Sequence, residues 1–216
     1  MKRICWSVCR TVIEGSAHCL DKICRCFWCN LKNPAYVRYH DDEWGRPCHD
    51  DRKLYELLLL ESFQAGLSWE CILNKREAFR TAFDGFDVDK VALYDEAKIG
   101  SLMQDSGIVR NRRKIAAAVK NSRVFQSIQA PYGSFDHYIW GFTDGKVQYE
   151  PCNAVTRSPL SDRLSADLRQ RGMTFVGTTI VYAYLQAIGV INGHASECFL
   201  HVNNHSVTKG EPKPYG

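Results

Sequence analysis

The clearest periodic segment of the chain places one acid among apolar residues on a single helical face. The residues at this spacing are Leu54, Leu57, Leu58, Glu61 and Ala65. Asp50 and Asp51 precede them as an N-cap and a first-turn carboxylate, which are typical of a helix start. The pattern therefore predicts an amphipathic helix whose inward face carries a carboxyl group.

The end of this helix is marked by a turn followed by a second helix start. Gly66 suits the left-handed conformation that ends helices, Ser68 is a good cap, and Trp69 opens the next helix. Glu61, Gln64 and Trp69 then meet at one junction, which would suit a pocket for a flat, polar, cationic ring. The alternative is that Glu61 pairs with an arginine or caps another helix, as buried acids commonly do.

Further periodic segments predict a chain that is all-α. The predicted helices cover residues 69–83, 87–97 (one helix or two short ones), an apolar stretch from 97 to a turn at 107, 114–129, 134–142, 158–171 and 178–188. Residues 146–149 form at best a short strand.

Composition limits the class of protein. With 216 residues, 45% of them hydrophobic, the chain suits one large domain or two small lobes. No apolar run approaches the ~20 residues of a membrane span, and no signal peptide is recognisable, so we expect no membrane association and a cytoplasmic location. We expect an N-terminal extension of unknown role over residues 1–24, a folded domain over 25–202 and a flexible tail over 203–216.

Charge and cysteine content add two suggestions. The formal net charge of +4 is compatible with a polyanionic partner. Six of the ten cysteines lie before residue 30, and without a secretory signal they indicate metal ligation or free thiols rather than disulfides. Cys26, Cys29 and His40 are candidate ligands, and His194 and Cys198 have an ordinary two-ligand zinc spacing.

Two other segments have residue types that suit nucleic acid. Trp28, Tyr36, Tyr39 and Trp44 could line a slot that stacks a base, although aromatic residues are more often simply core.

The second segment is a glycine turn at Gly107 followed by the cations Arg110, Arg112 and Lys114 at a helix start. Cations at a helix start oppose the helix dipole. A bound phosphate would pair with these side chains and also accept hydrogen bonds from the free backbone amides, as in a helix-hairpin-helix. The alternative is an ordinary exposed basic helix start.

Several of these segments together resemble the type I 3-methyladenine DNA glycosylases. The matching stretches are Arg25-Cys26-x-Trp28, Pro34-x-Tyr36-x-x-Tyr39-His40-Asp41-x-Glu43-Trp44-Gly45, Glu61-x-x-Gln64-Ala-Gly-Leu-Ser-Trp69, Gly107-Ile-Val-Arg110, Phe175-Val-Gly-Thr-Thr-Ile180 and His194-x-x-x-Cys198. They occur in the family's order and span about residues 25 to 200.

The resemblance implies a two-lobe, helix-hairpin-helix glycosylase fold with the active site between the lobes. It implies a monofunctional enzyme that hydrolyses the N-glycosidic bond of 3-methyladenine, releases the free base and leaves an abasic site. It also implies a structural zinc that joins the chain ends through Cys26, His40, His194 and Cys198. The gap from Cys26 to Pro34 is one residue longer than usual, so Cys29 is an alternative first ligand.

The resemblance also suggests individual roles. Glu61 would be the catalytic acidic residue and bind the base together with Trp28, Tyr36, Tyr39, Trp44 and Trp69. Tyr39 and Trp69 would sandwich the extruded ring. Leu67 would fill the gap left in the duplex, and Gly107, Arg110, Arg112 and Lys114 would hold the DNA backbone. The expected partner is double-stranded alkylated DNA, bound by a monomer.

Three other functions remain open at this point. One is a glycosylase of different base specificity on the same fold. Another is a non-enzymatic, zinc-containing DNA-binding module in which Glu61 and Trp69 are core residues. A zinc hydrolase is the third, and four protein ligands argue against it because they leave no open position.

Overall fold

The computed structural model describes residues 23–151 and 155–202, and the regular secondary structure within them is almost entirely helical. The ten α-helices are α1 (Pro34–Asp42), α2 (Asp51–Gln64), α3 (Trp69–Asn74), α4 (Arg76–Ala82), α5 (Val88–Ala92), α6 (Glu96–Leu102), α7 (Arg112–Tyr132), α8 (Phe135–Gly141), α9 (Pro159–Gln170) and α10 (Thr178–Ala187). A 3-10 turn covers Asp84–Phe86. The all-α prediction is confirmed.

Most of these helices begin where a short polar side chain can bind free backbone amides. The N-cap side chains that accept such hydrogen bonds belong to Asn33, Asp50, Ser68, Asp87, Asp95, Asn111, Ser134 and Ser158. Each cap satisfies one or two donors that a helix leaves unpaired, and is worth about 1 kcal/mol. The local sequence therefore sets the positions at which the chain turns.

Helix α2 lies between the two halves of the molecule. On one side it packs against α3, α7 and α8, and on the other against α10, which in turn packs on α9. Its residues from Leu54 to Phe63 are all buried. A helix that is buried all round has a neighbour on every face, so α2 fixes how the two lobes sit around the cleft between them.

Two local differences from the sequence prediction have simple causes. The sequence analysis predicts no element where α1 lies, although the buried Tyr39 and His40 follow Tyr36 at helical spacing. The single helix expected over 69–83 is broken at Lys75, because the backbone angles of this residue (φ −99°, ψ 0°) depart from those of an α-helix. The short strand expected near 146–149 is β1 (Gln148–Tyr149), which pairs in parallel with β2 (Ile191–Asn192). No helix of the described residues is long and apolar enough to cross a membrane.

The end of α10 crosses the segment that follows α1 at very short range. Gly189 has φ +73°, and a Cβ atom built on it would lie 2.1 Å from the backbone carbon of Arg46. Backbone hydrogen bonds from Gly45 N to Gln186 O and from Cys48 N to Ile188 O join the two segments. Only glycine can occupy this position without moving backbone.

We therefore expect Gly189→Ala to destabilise the protein far more than Gly145→Ala. Gly145 also has a positive φ (+71°), but its added Cβ would meet nothing within 4 Å. The control should cost only the about 1–2 kcal/mol of left-handed backbone strain. Thermal unfolding of both variants measures the difference, and equal melting temperatures would contradict the close approach.

Candidate active site and metal centre

A cavity of about 180 Å³ lies between the lobes and is lined mainly by aromatic side chains. Its lining residues are Trp28, Tyr36, Tyr39, Trp44, Glu61, Gln64, Trp69, Ala183 and Gln186. All six residues that the sequence analysis assigned to base binding therefore line one cavity. Its volume is below the ~300–1,000 Å³ of pockets for drug-sized ligands, and suits a single ring system.

Glu61 contributes the only carboxyl group among the residues lining this cavity. The side chain is 3% exposed, and Oε2 has no hydrogen-bond partner among the described residues. Burial raises the pKa of Glu61 to about 8, because nothing compensates the loss of hydration of the charged form. The alternative that Glu61 pairs with an arginine is not supported, since no arginine or lysine of the described chain forms an ion pair with it.

The turn after α2 brings Trp69 to the same cavity. Leu67 N donates to Gln64 O at 2.6 Å across Ala65 (φ −45°, ψ 112°) and Gly66 (φ +81°). These angles define a type II turn, which requires glycine at its third position. The indole nitrogen Nε1 of Trp69 is buried and also lacks a partner within the described chain. A carboxyl oxygen and an indole N–H are thus both available to a ligand.

One predicted arrangement in the cavity is wrong. The rings of Tyr39 and Trp69 pack directly on each other, with centroids 5.0 Å apart and planes inclined by 46°. A base sandwiched between them would need roughly twice the ordinary stacking distance, so the two rings leave no room for it. They form one continuous wall instead.

Two residues of the cavity were missed by the sequence analysis. Ala183 and Gln186 belong to α10, in the other lobe, and face the cavity across from α2. The only signal was that Gln186 is the one amide in an otherwise apolar helix segment. Which residues of α10 face Glu61 depends on how the lobes pack, and no local pattern gives that.

Four buried side chains near the chain ends form a compact metal-binding cluster. The ligand atoms of Cys26, His40, His194 and Cys198 all lie within 4.8 Å of one another. Both cysteine sulfurs lie 3.4 Å from His194 Nδ1, and Cys198 Sγ lies 3.5 Å from His40 Nε2. Tetrahedral zinc, with bonds of about 2.3 Å to sulfur and about 2.05 Å to nitrogen, places these atoms about 3.6 Å apart. The residues therefore fit structural zinc, as predicted.

The outer nitrogens of both histidines are held so that the inner ones face the cluster. His40 Nδ1 lies 2.8 Å from Asp41 Oδ1, and Arg25 binds the same carboxylate through two nitrogens. His194 Nε2 lies 3.1 Å from Trp44 O. Such partners fix the tautomer that ligates a metal. Burial also lowers the pKa of both imidazoles, to about 4 for His194, which favours the neutral, ligating form.

The first ligand is Cys26 rather than Cys29. Cys29 Sγ points to the carbonyl oxygen of Tyr36 at 3.9 Å, outside the cluster.

The metal cluster is also continuous with the cavity wall: the Trp28 ring lies 5.1 Å from His40, and the Trp44 ring lies 4.7 Å from His194. The ligands therefore support the two tryptophans that close the cavity.

The predicted DNA-binding residues divide into an exposed group and one exception. Leu67 is 38% exposed at the tip of its turn. Arg110, between α6 and α7, and Arg112, the first residue of α7, are also exposed, and Arg112 pairs with Glu96. Lys114 is only 7% exposed, which corrects the expectation that it contacts phosphates. Its Nζ donates to Phe63 O and Ala65 O and so points into the protein.

Gly107 lies where an added side chain would clash with helix α4. A Cβ atom at Gly107 would lie 2.9 Å from Ala78 Cβ. The amide of Gly107 donates to Asp105 Oδ1 at 2.7 Å, so it is already used within the turn. Glycine is required here for packing against α4, and the position's role toward DNA stays a prediction.

Comparison with known proteins agrees with this geometry. The model of the family described as methyladenine glycosylase matches residues 28–201. The chain is 40% identical over 184 residues to DNA-3-methyladenine glycosylase 1 of Escherichia coli (strain K12), covering 83% of this chain and 98% of the relative. It is 39% identical over 178 residues to DNA-3-methyladenine glycosylase of Haemophilus influenzae, covering 81% and 96%.

Two solved structures have the same fold. One, of 3-methyladenine DNA glycosylase I, superposes with a TM-score of 0.78 at 42% identity, over 82% of this chain and 99% of that one. The other, of 3-methyladenine DNA glycosylase I from Staphylococcus aureus, gives 0.75 at 37% identity, over 77% and 91%.

The helical fold, the aromatic cleft and the cluster joining the chain ends together define a DNA glycosylase. More specifically, the chain belongs to the methyladenine glycosylase family.

We predict that Cys198→Ser removes the zinc and lowers the melting temperature by on the order of 10 °C or more, since a structural metal contributes directly to folding. Metal analysis and thermal unfolding test this, with Cys29→Ser as the matched control that should keep one zinc per chain. Protein purified without chelator that contains no zinc would exclude the site.

A second prediction concerns the stability of Glu61→Gln. Because the pKa of Glu61 is about 8 in the folded chain and near 4.5 when unfolded, folding takes up a proton between these values. Wild-type stability is therefore lost as the pH rises from 4.5 to 8, by about 3 kcal/mol at pH 7. Glu61→Gln does not titrate, so it should be more stable than wild type by about that amount at pH 7, and similar at pH 4.5.

Glu56→Gln is the control for this measurement. Glu56 is equally buried on the same helix but accepts from Arg76 and Arg80, so removing its charge should destabilise the protein. Denaturant unfolding at pH 5 and pH 8 gives both differences. A Glu61→Gln variant less stable than wild type at pH 8 would show that Glu61 is compensated.

Proposed function

We propose that this protein removes 3-methyladenine from alkylated double-stranded DNA by hydrolysing the N-glycosidic bond, and that Glu61 is the residue that selects the damaged base. The observation that carries this proposal is the buried Glu61 carboxyl, with Oε2 unpartnered, in an aromatic cavity the size of one ring system. A base inside a duplex cannot reach such a cavity, so the nucleotide must leave the stack.

The cavity discriminates by charge as well as by shape. Methylation at N3 makes the base cationic, whereas undamaged adenine is neutral. A cation beside Glu61 favours the carboxylate and lowers its pKa, which turns an unfavourable buried charge into an ion pair. Stacking on the wall formed by Tyr39 and Trp69 adds the attraction of a cation for aromatic faces. Neutral adenine offers neither contribution.

The chemistry itself requires little from the protein. The cationic base is already a good leaving group, so extrusion and recognition supply most of the catalysis. Helix α7, which follows the hairpin, contains no acid that could activate water. No lysine of the described chain lines the cavity, which agrees with a hydrolase that has no lyase step and leaves an abasic site.

The contacts with DNA are assigned to two exposed regions. Arg110 and Arg112 would bind backbone phosphates without reading sequence, and Arg112 would exchange its exposed contact with Glu96 for a phosphate. Leu67, at the tip of the turn beside Trp69, would fill the space left by the extruded base. We propose that the protein acts on DNA as a monomer and in the cytoplasm.

The direct test is base release from methylated duplex DNA, with the products identified chromatographically. Wild type should release 3-methyladenine. Glu61→Gln should lower kcat/KM by about 10- to 100-fold, the equivalent of the ~1.5–3 kcal/mol of a charge-assisted hydrogen bond. In wild type kcat/KM should rise with pH up to about 8, as Glu61 ionises in the free enzyme, whereas the variant should lack this rise.

Two outcomes would favour the other functions. Release of no base by folded, zinc-containing wild type would indicate a non-enzymatic DNA-binding module. Release of a different methylated base with equal efficiency would indicate a glycosylase of other specificity. Equal rates and pH profiles for wild type and Glu61→Gln would leave Glu61 as a structural acid.

A further inference from the structure

A buried lysine joins the start of the long helix α7 to the end of the pocket helix α2. Lys114 Nζ donates to Phe63 O at 2.7 Å and to Ala65 O at 2.6 Å, and the residue is 7% exposed. The side chain therefore does not reach solvent, although it lies in the first turn of the helix that follows the hairpin. Its position is unusual enough to require a reason.

Lys114 completes the C-terminal end of α2. The last carbonyls of a helix have no partner within it. Leu67 N takes the carbonyl of Gln64, and Lys114 takes the carbonyls on either side. A cation also interacts favourably with the negative end of the α2 dipole, whereas it would be unfavourable at the start of its own helix. Lys114 thus moves its charge from the start of α7 to the end of α2.

The residues that Lys114 holds lie directly before the tip of the turn. Ala65 and Gly66 shape the type II turn, and Leu67 is exposed at its end. Glu61, by contrast, lies one turn further back, in a part of α2 fixed by the buried side chains of Leu58, Leu60 and Phe63. Lys114 therefore contacts the turn directly, and neither of these two hydrogen bonds involves Glu61.

At its other end, Lys114 is attached to the hairpin, which we define as residues 105–113. The backbone of Lys114 is fixed by its own helix cap, since its amide donates to Asn111 Oδ1 at 3.2 Å. Arg112 lies between these two residues and is exposed. Separately, Lys75 Nζ donates to Ser106 O and Gly107 O, which ties the hairpin turn to the end of α3. Lys114 therefore connects the start of α7 to the turn, and Lys75 connects the preceding hairpin to the end of α3.

We propose that Lys114 is a positioning residue for base extrusion, which ties the Ala65–Leu67 turn to the start of α7 so that the turn and the DNA-backbone contact keep one relative position. This inference rests on the proposed function, because it requires that Leu67 enters the duplex. Without the hydrogen bonds of Lys114, the protein would still bind the DNA backbone and would still bind the free base. Opening of the duplex would slow, because the turn would no longer be held against the bound backbone.

The test compares single-turnover excision by wild type, Lys114→Met and Lys120→Met. Lys120 lies on the same helix and is exposed, so it controls for loss of a positive charge. One duplex carries 3-methyladenine opposite thymine, and a second carries it opposite an abasic site, where less pairing must be broken. Lys114→Met should lose at least about 10-fold on the paired lesion and less than about 3-fold on the unpaired one.

Affinity for free 3-methyladenine, measured by quenching of tryptophan fluorescence, should stay within about 2-fold of wild type in Lys114→Met. Lys120→Met should match wild type throughout. Equal losses on both duplexes together with weaker binding of the free base would overturn the proposal in favour of a general structural role. Unchanged rates would overturn it as well.

A conservative variant keeps the proposal testable if Lys114→Met does not fold. Lys114→Arg retains a cation with several N–H donors, and should keep at least about a third of the wild-type rate on the paired lesion. A loss that does not depend on whether the lesion is paired would contradict the proposal. Failure of wild type to release 3-methyladenine from either duplex would instead overturn the proposed function.

Discussion

A carboxyl group buried without compensation is the constraint on which the rest of the molecule depends. Glu61 lies on a helix that is surrounded by both lobes, and burial raises its pKa to about 8. The folded chain tolerates this only because the helix around it is anchored by a large apolar core. The stability lost at Glu61 is available to a cationic ligand, because such a ligand supplies the missing partner. In the proposed function, selectivity for a charged base follows from this uncompensated carboxyl group in the free protein.

The metal cluster preserves the shape of the site. Trp28 and Trp44 form part of the cavity wall and lie edge to face, with centroids 4.7 Å apart. Each also packs against a ligand histidine, Trp28 on His40 and Trp44 on His194. Because these ligands come from opposite ends of the described chain, the cluster joins two segments that are also linked by a backbone hydrogen bond from Phe199 N to Cys24 O. Any effect of the cluster on a base bound in the cavity would therefore be indirect, through Trp28 and Trp44.

Features set by residues close together in the chain could be predicted from the sequence, whereas those set by contacts between distant segments could not. The inward position of Glu61 followed from helical spacing, and the turn at Gly66 followed from residue type, so both are local. The choice of Cys26 over Cys29 needed the fold, because spacing along the chain does not show which thiol faces the histidines. Lys114 was misassigned because a residue in a first helical turn can point either to solvent or to a neighbouring helix, and tertiary packing decides. Gln186 was missed for the same reason.

The protonation state of Glu61 in the free protein tests the central claim most directly. Carbon-13 labelling of the glutamate carboxyls, with Glu61→Gln to assign the signal, would follow its titration by NMR. The account predicts a midpoint near the pKa of about 8 set by burial, well above the ordinary value for glutamate. A midpoint at the ordinary value for glutamate would show that the charge is compensated in the free protein, and charge selection by an unpartnered carboxyl would then be wrong.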